Sequence, residues 1–221
     1  MTAMFRAVLY SQWKWSRLIV VVGTVAAFAI PLLSLQGAAR ADRGALQAQE
    51  LLRSVQSWGT LYPLLATAFG LLMAIAAWAA DHRGRHIHAL TLPLERWRYV
   101  LLRFGAGFLL LAAPIAAVLI GSLLGVLTAT LPPGLQAYPI ALAARFAFAV
   151  LVAYAVFFAV SAGTARTAGI ILGVIATLIL VQVVASIANL DLNLLSAAQT
   201  VLLLGPGPLA VFTGRWMLVD V

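Results

Sequence analysis

Cysteine is absent from the 221 residues, and lysine occurs once, as Lys14. The first absence excludes disulfides, thiolate metal sites and a cysteine nucleophile. The second leaves no Gly-x-x-x-x-Gly-Lys-Ser/Thr phosphate loop, so the chain does not hydrolyse ATP by that device alone. Charge is scarce too: Asp, Glu, Lys and Arg make up 9% of residues, where a soluble domain carries about a quarter. The six acids, Asp42, Glu50, Asp81, Glu95, Asp191 and Asp220, fall in polar connections or at ends, none inside an apolar run. Proton-coupled transport and intramembrane catalysis place an acid, a pair of acids or a Ser with its His at membrane depth. Neither arrangement can be assembled from these positions, and the chain is not read as an enzyme.

Apolar sequence dominates: 64% of residues are hydrophobic and the mean hydropathy is +1.05. The expectation is an all-α integral membrane protein, because the runs are continuous rather than alternating, as barrel strands would be. At about 20 residues per crossing the length admits roughly five to seven spans, organised as a single polytopic domain over 1–221. The formal charge of +8 is read as topological under the positive-inside rule rather than as a nucleic-acid footprint. The lipid bilayer is the partner that composition implies, and nucleic acid is not expected.

Residues 3–17 are too polar to cross a membrane. On a helix Arg6, Tyr10, Lys14 and Arg17 share one face, with Phe5, Val8, Leu9 and Trp13 largely opposite, which predicts an interfacial helix on the cytoplasmic leaflet. A first span follows from about Leu18 to Gln36, with Gly23 and Pro31 as bend points. Ala39-Arg40-Ala41 imitates a signal-peptidase site, but the apolar run before it is longer than a signal sequence uses, so a retained span is expected. Residues 37–59 form a polar external connection with a helical turn or two around Leu46–Val55. A second span covers about Thr60–Ala80, a third about Tyr99–Ala129, and Leu131-Pro132-Pro133-Gly134 separates it from a fourth at Ile140–Ala162. A basic turn at Arg166 leads to a fifth span ending near Ala188. Residues 194–221, interrupted by Gly205-Pro206-Gly207-Pro208, read as a broken, re-entrant segment or a sixth span.

With the N-terminus in the cytoplasm, Arg6, Lys14, Arg17, Arg83, Arg85, Arg96, Arg98, Arg103 and Arg166 lie inside, against Arg40, Arg43, Arg53 and Arg145 at the outer side. His82, His86 and His88 stand among arginines without a thiolate or carboxylate triad, so no metal site is expected. Gly121-Ser-Leu-Leu-Gly125 and Gly169-Ile-Ile-Leu-Gly173 are small-xxx-small ridges that let helices approach closely. Arg145, inside the fourth span, either snorkels to the headgroups or faces a partner subunit or an anionic substrate. Gln182 is a mid-depth interhelical hydrogen-bonding group or a substrate contact.

The charged stretch Asp81–Arg103 between two apolar runs is where the chain meets water. Its order, Asp81, then Gly84, then Leu90-Thr91-Leu92-Pro93-Leu94, then Arg96 and the lead-in Trp97-Arg98-Tyr99, resembles the cytoplasmic loop of ABC-2 type transporter permeases. The turn at Arg166 followed by Ala168 and Gly169 is similar to that family's link between its fourth and fifth spans. Arg85 and Glu95 depart from the family pattern, where a small Thr and a Ser/Thr are usual, and the family has six spans. The resemblance implies that residues 81–98 are a coupling helix docking on a separate ATPase, with Asp81, Gly84, Arg85, Leu90, Leu92, Pro93, Glu95, Arg96 and Trp97 as contacts and Arg166 on a second loop. It implies two copies of that ATPase carrying ATP and Mg, no cofactor in this chain, a second permease as homo- or heterodimer, and a bacterial-type cytoplasmic membrane. The expected function is export of a substrate driven by the partner's hydrolysis. The rival expectation is a membrane anchor or assembly factor that holds a soluble partner through the same loop.

Overall fold

The computed structural model describes residues 2–35, 45–83, 95–129, 131–132, 134–162, 177, 180–181 and 209–220. Five helices have described bounds: α1 (Thr2–Leu35), α2 (Ala45–Gly59), α3 (Leu61–Arg83), α4 (Arg96–Thr128) and α5 (Pro139–Ala162). Two short strands, β1 (Gln136–Ala137) and β2 (Val219–Asp220), pair antiparallel. The fold is all-α, and four helical stretches are long and apolar enough to cross a membrane: Met4–Leu35, Ala48–Ala79, Trp97–Thr128 and Pro139–Ala162. Two compact units are formed, Met1–Phe158 with Arg215–Val221, and Ala159–Gly214. In the second unit the described residues of the expected fifth span, Thr177, Leu180 and Val181, are helical. A 3₁₀ turn at Ala210–Phe212 is closed by Thr213, whose Oγ1 donates to the Ala210 carbonyl at 2.8 Å.

The apolar runs set the helices where transfer energetics put them, and the ends of the third and fourth predicted spans fall within a few residues of α4 and α5. Two expectations about the first half are corrected. Residues 3–17 and the first span are not separate pieces; α1 runs unbroken for 34 residues, roughly 51 Å at 1.5 Å per residue. Nothing between Trp15 and Leu18 breaks a helix, and the helix continues through Pro31. The polar connection expected at 37–59 carries more structure than a turn or two, because α2 has 15 residues and is joined to α3 only through Thr60. Residues 209–220, the described part of the expected re-entrant or final span, form the 3₁₀ turn and an extended strand rather than a crossing helix.

Within the first unit α1 packs most closely on α4. A Cβ added at Gly121 would stand 2.5 Å from the Phe28 carbonyl oxygen, so only glycine permits this approach. Gly125 meets Leu35 and Pro31 one turn further on, and the 121–125 ridge therefore serves packing inside the chain; its counterpart at 169–173 lies outside the described residues. Between apolar helices in lipid no hydrophobic drive remains, so such close van der Waals contact and interhelical hydrogen bonds hold the bundle. Ser54 Oγ donates to the Ser34 carbonyl at 3.2 Å and ties α2 to the end of α1. Outward, Leu18, Val22, Leu64, Leu127 and Phe148 are exposed, as a lipid-facing girdle requires.

The ends of this unit are distinct. Thr2, Arg83, Arg96 and Phe158 lie at one end; Leu35, α2, Thr128, β1 and β2 lie at the other. Gly134, at φ +97°, supplies the left-handed backbone that turns the chain between α4 and β1.

Candidate functional site

Two constellations rise above packing, one at each end of the first unit. The first contains the stems of the 81–98 segment. Asp81, His82 and Arg83 form the last turn of α3, and Glu95 precedes α4. Gly84, Arg85, Leu90, Leu92 and Pro93, together with His86 and His88, lie outside the described residues, as do Arg166 and Gln182; of Asp81 and Arg96 only the helical backbone is described. The Glu95 carbonyl accepts from the Arg98 and Tyr99 amides at 3.0 and 3.2 Å, and its carboxylate pairs with Arg98 Nε at 2.9 Å. Both side chains of that pair are exposed, so it adds little stability. Trp97 is exposed, with the Arg98 guanidinium 5.2 Å from its ring centroid.

Two turns into α4 lies a residue whose role the sequence did not disclose. Arg103 is only 6% exposed. Its Nη1 donates to the Ala77 carbonyl of α3, and its guanidinium lies 5.3 Å from the Trp78 ring and 4.9 Å from the Tyr99 ring. Buried Gln12 of α1 donates through Nε2 to the Arg103 carbonyl at 3.0 Å. Trp78 in turn donates through Nε1 to the Phe158 carbonyl of α5 at 3.2 Å. An aromatic cluster of Phe104, Tyr154 and Phe158, with centroids 5.1 to 5.5 Å apart, completes the layer. All four long helices are thus cross-tied at the end from which the 81–98 segment emerges. A sequence signal existed: Arg103 follows four uncharged residues, and an arginine that deep either snorkels or faces the bundle. Which of the two applies depends on neighbours that periodicity does not name.

The second constellation is built around Arg145. It meets the chain's own C-terminal segment: Nη1 donates to the Arg215 carbonyl at 2.6 Å, and the guanidinium lies 4.6 Å from the Trp216 ring centroid. Trp216 is buried and stacks on Tyr62 at 6.2 Å. Beside it β2 pairs with β1, Gln136 opposite Asp220 and Ala137 opposite Val219, and the Tyr138 amide donates to the Leu218 carbonyl at 2.9 Å. A small pocket of about 180 Å³, mixed in polarity, lies between Tyr138, Leu142, Arg145, Arg215, Trp216 and Asp220. The recipient of Arg145 lies 70 residues further along the chain, beyond the reach of any local sequence pattern.

Between α4 and α5 an open apolar crevice of about 740 Å³ is lined by Phe108, Ile115, Leu119, Ile140, Ala144 and Phe148, among others. Its lining is almost wholly carbon, so it offers next to nothing to orient a polar group. Among the described residues no cluster of three His, Asp or Glu side chains could hold a metal ion. Compared with protein-family models, curated proteins and solved structures, the chain gives no match.

Proposed function

We propose that the chain is the transmembrane permease subunit of an ATP-driven transporter of the ABC-2 type, N-terminus in the cytoplasm of a bacterial-type cell, exporting a substrate across the cytoplasmic membrane. A separate ATPase, in two copies, would supply ATP and Mg and grip the 81–98 loop; a second permease would complete the passage. The observation that carries this reading is the cross-tie at Arg103. A loop that relays force needs stems that move together. Arg103 joins α4 to α3, Gln12 joins α4 to α1, and Trp78 joins α3 to α5. A push on the loop between α3 and α4 then shifts a packed layer rather than bending two independent rods, which is how small displacements become rigid-body motion. The ordered match of residues 81–99 to the family's loop supports the same assignment.

The test is purification from native membranes, followed by vanadate-sensitive ATP turnover of whatever co-purifies. Replacing Leu92-Pro93 by Gly-Gly should retain the permease in the membrane while uncoupling hydrolysis from transport. Partner binding that persists without nucleotide-dependent movement would favour a plain anchoring role instead. Absence of any ATPase from the purified assembly would refute the transport reading.

A further inference from the structure

The unbroken course of α1 gives its N-terminal half a surface that no described part of the chain covers. Arg6, Tyr10, Lys14 and Arg17 are all exposed, and so are Leu18, Val21, Val22 and Val25. At 100° per residue these eight positions form one stripe on the side opposite Gln12, Ser16 and Val20, which are buried against the bundle. The stripe changes character at one point: apolar from Leu18 inward, basic from Arg17 outward. Trp13 and Trp15 flank it on either side and are themselves exposed. Because α1 is continuous, Lys14 lies about 20° around the helix from both Val21 and Val25, and Arg17 about 40° from Val21, so these two cations continue the side of the valines one layer further out. For a lipid-facing valine row, that layer is the headgroups.

We propose that this stripe is a binding surface for anionic phospholipid, with Lys14 and Arg17 as the residues that contact lipid phosphate. Magnitudes select these two. The headgroup layer is roughly 5–7 Å thick on each side of the hydrocarbon, and Lys14 is three residues from Arg17, a rise of about 4.5 Å. Arg6 stands about 16 Å from Arg17 along the axis and acts through the diffuse surface potential, which decays over roughly 8–10 Å. Charge complementarity favours lipid phosphate over neutral headgroups. Glu95, the acid at this end whose side chain is described, is engaged by Arg98, so no described carboxylate answers the three cations of the stripe. Tryptophans at the boundary suit the interface and not a purely aqueous contact. Since Gln12, on the opposite side of the same helix, holds the Arg103 carbonyl, a lipid seated here would also bear on the cross-tied layer.

The experiment uses the full chain, which has no cysteine of its own. A single cysteine at Leu18 carries an environment-sensitive fluorophore, and the protein is reconstituted in phosphatidylcholine vesicles containing either brominated phosphatidylglycerol or brominated phosphatidylcholine. The anionic lipid should quench several-fold more strongly than its bulk fraction predicts. Lys14→Gln and Arg17→Gln should each weaken that preference roughly five-fold, the equivalent of about 1 kcal/mol per basic residue near an anionic surface, and Lys14→Arg should keep it. High salt should reduce it, and a label at Leu127, exposed at the opposite end of α4, should show none. Equal quenching by the two lipids at Leu18, or a preference untouched by both Gln variants, overturns the proposal; so does absence of quenching by either lipid, which would mean that protein covers the stripe. No ATPase or nucleotide enters this assay, so its failure leaves the transport reading standing, and the converse holds.

Discussion

Replacing Arg103 by Met deletes the guanidinium while keeping most of the side-chain volume, and the structure sets the expected cost. The charged hydrogen bond to the Ala77 carbonyl is worth about 1.5–3 kcal/mol. The faces of Trp78 and Tyr99, at 5.3 and 4.9 Å, add about 0.5–2 kcal/mol each. Against these stands the penalty of holding an arginine away from water, about 2.5–3.5 kcal/mol at the centre of a span and less two turns from its end. The balance is a loss of about 1–3 kcal/mol, because the Ala77 carbonyl lies inside α3 and keeps its helical environment when the arginine goes. Gln12 bonds the Arg103 backbone, so the α1 tie survives the substitution. Arg103→Lys should recover under half of the loss, since an ammonium makes a point contact and stacks poorly on rings. The assay is unfolding of purified protein in detergent, run as a double-mutant cycle with Trp78→Ala. A coupling energy of about 1–2 kcal/mol is expected, above the few tenths that independent sites show. Full stability of Arg103→Met together with additive cycle energies would refute the cross-tie.

Three further outcomes can be checked on the same cysteine-free chain. Cysteines at Gln136 and Asp220 should form a disulfide on mild oxidation, because opposed residues of an antiparallel pair hold Cα atoms within bridging distance; reagents confined to one side should label both of these positions together and a cysteine at Ala7 only from the other side. Gly121→Val should cost about 2 kcal/mol or more and loosen α1 from α4, since the new Cβ meets the Phe28 carbonyl at 2.5 Å; unchanged melting would show that the two helices do not touch there. Arg145→Ala should raise amide exchange at residues 215–220 while leaving α4 protected, because the carbonyl of Arg215 and the ring of Trp216 lose their anchor; equal protection before and after would remove Arg145 from that clasp.

The positions of the long apolar helices α4 and α5 were legible from the chain alone because transfer out of water is a local property. An apolar run of membrane length bounded by Pro132-Pro133-Gly134 or by Arg96 and Arg98 announces a helix whatever surrounds it, and α4 and α5 fall where those runs lie. The double character of residues 2–35 was legible too, since the basic and apolar portions are written in order. That they form one rod was not, because continuity depends on nothing breaking the helix between them, and a change of polarity is not a break.

Facing and recipients belong to the tertiary structure. Arg103 and Arg98 are five residues apart with the same chemistry, yet one is sealed between Trp78 and Tyr99 and the other is exposed beside Glu95. The difference comes from which helix approaches which side, information spread over α1, α3 and α4 together. Arg145 likewise acquires its meaning from a strand and a tryptophan 70 or more residues later. Sequence sets how far each charge stands from the nearest apolar run, because that is a sum over neighbours along the chain; what that charge touches is a sum over neighbours in space, and only folding supplies it.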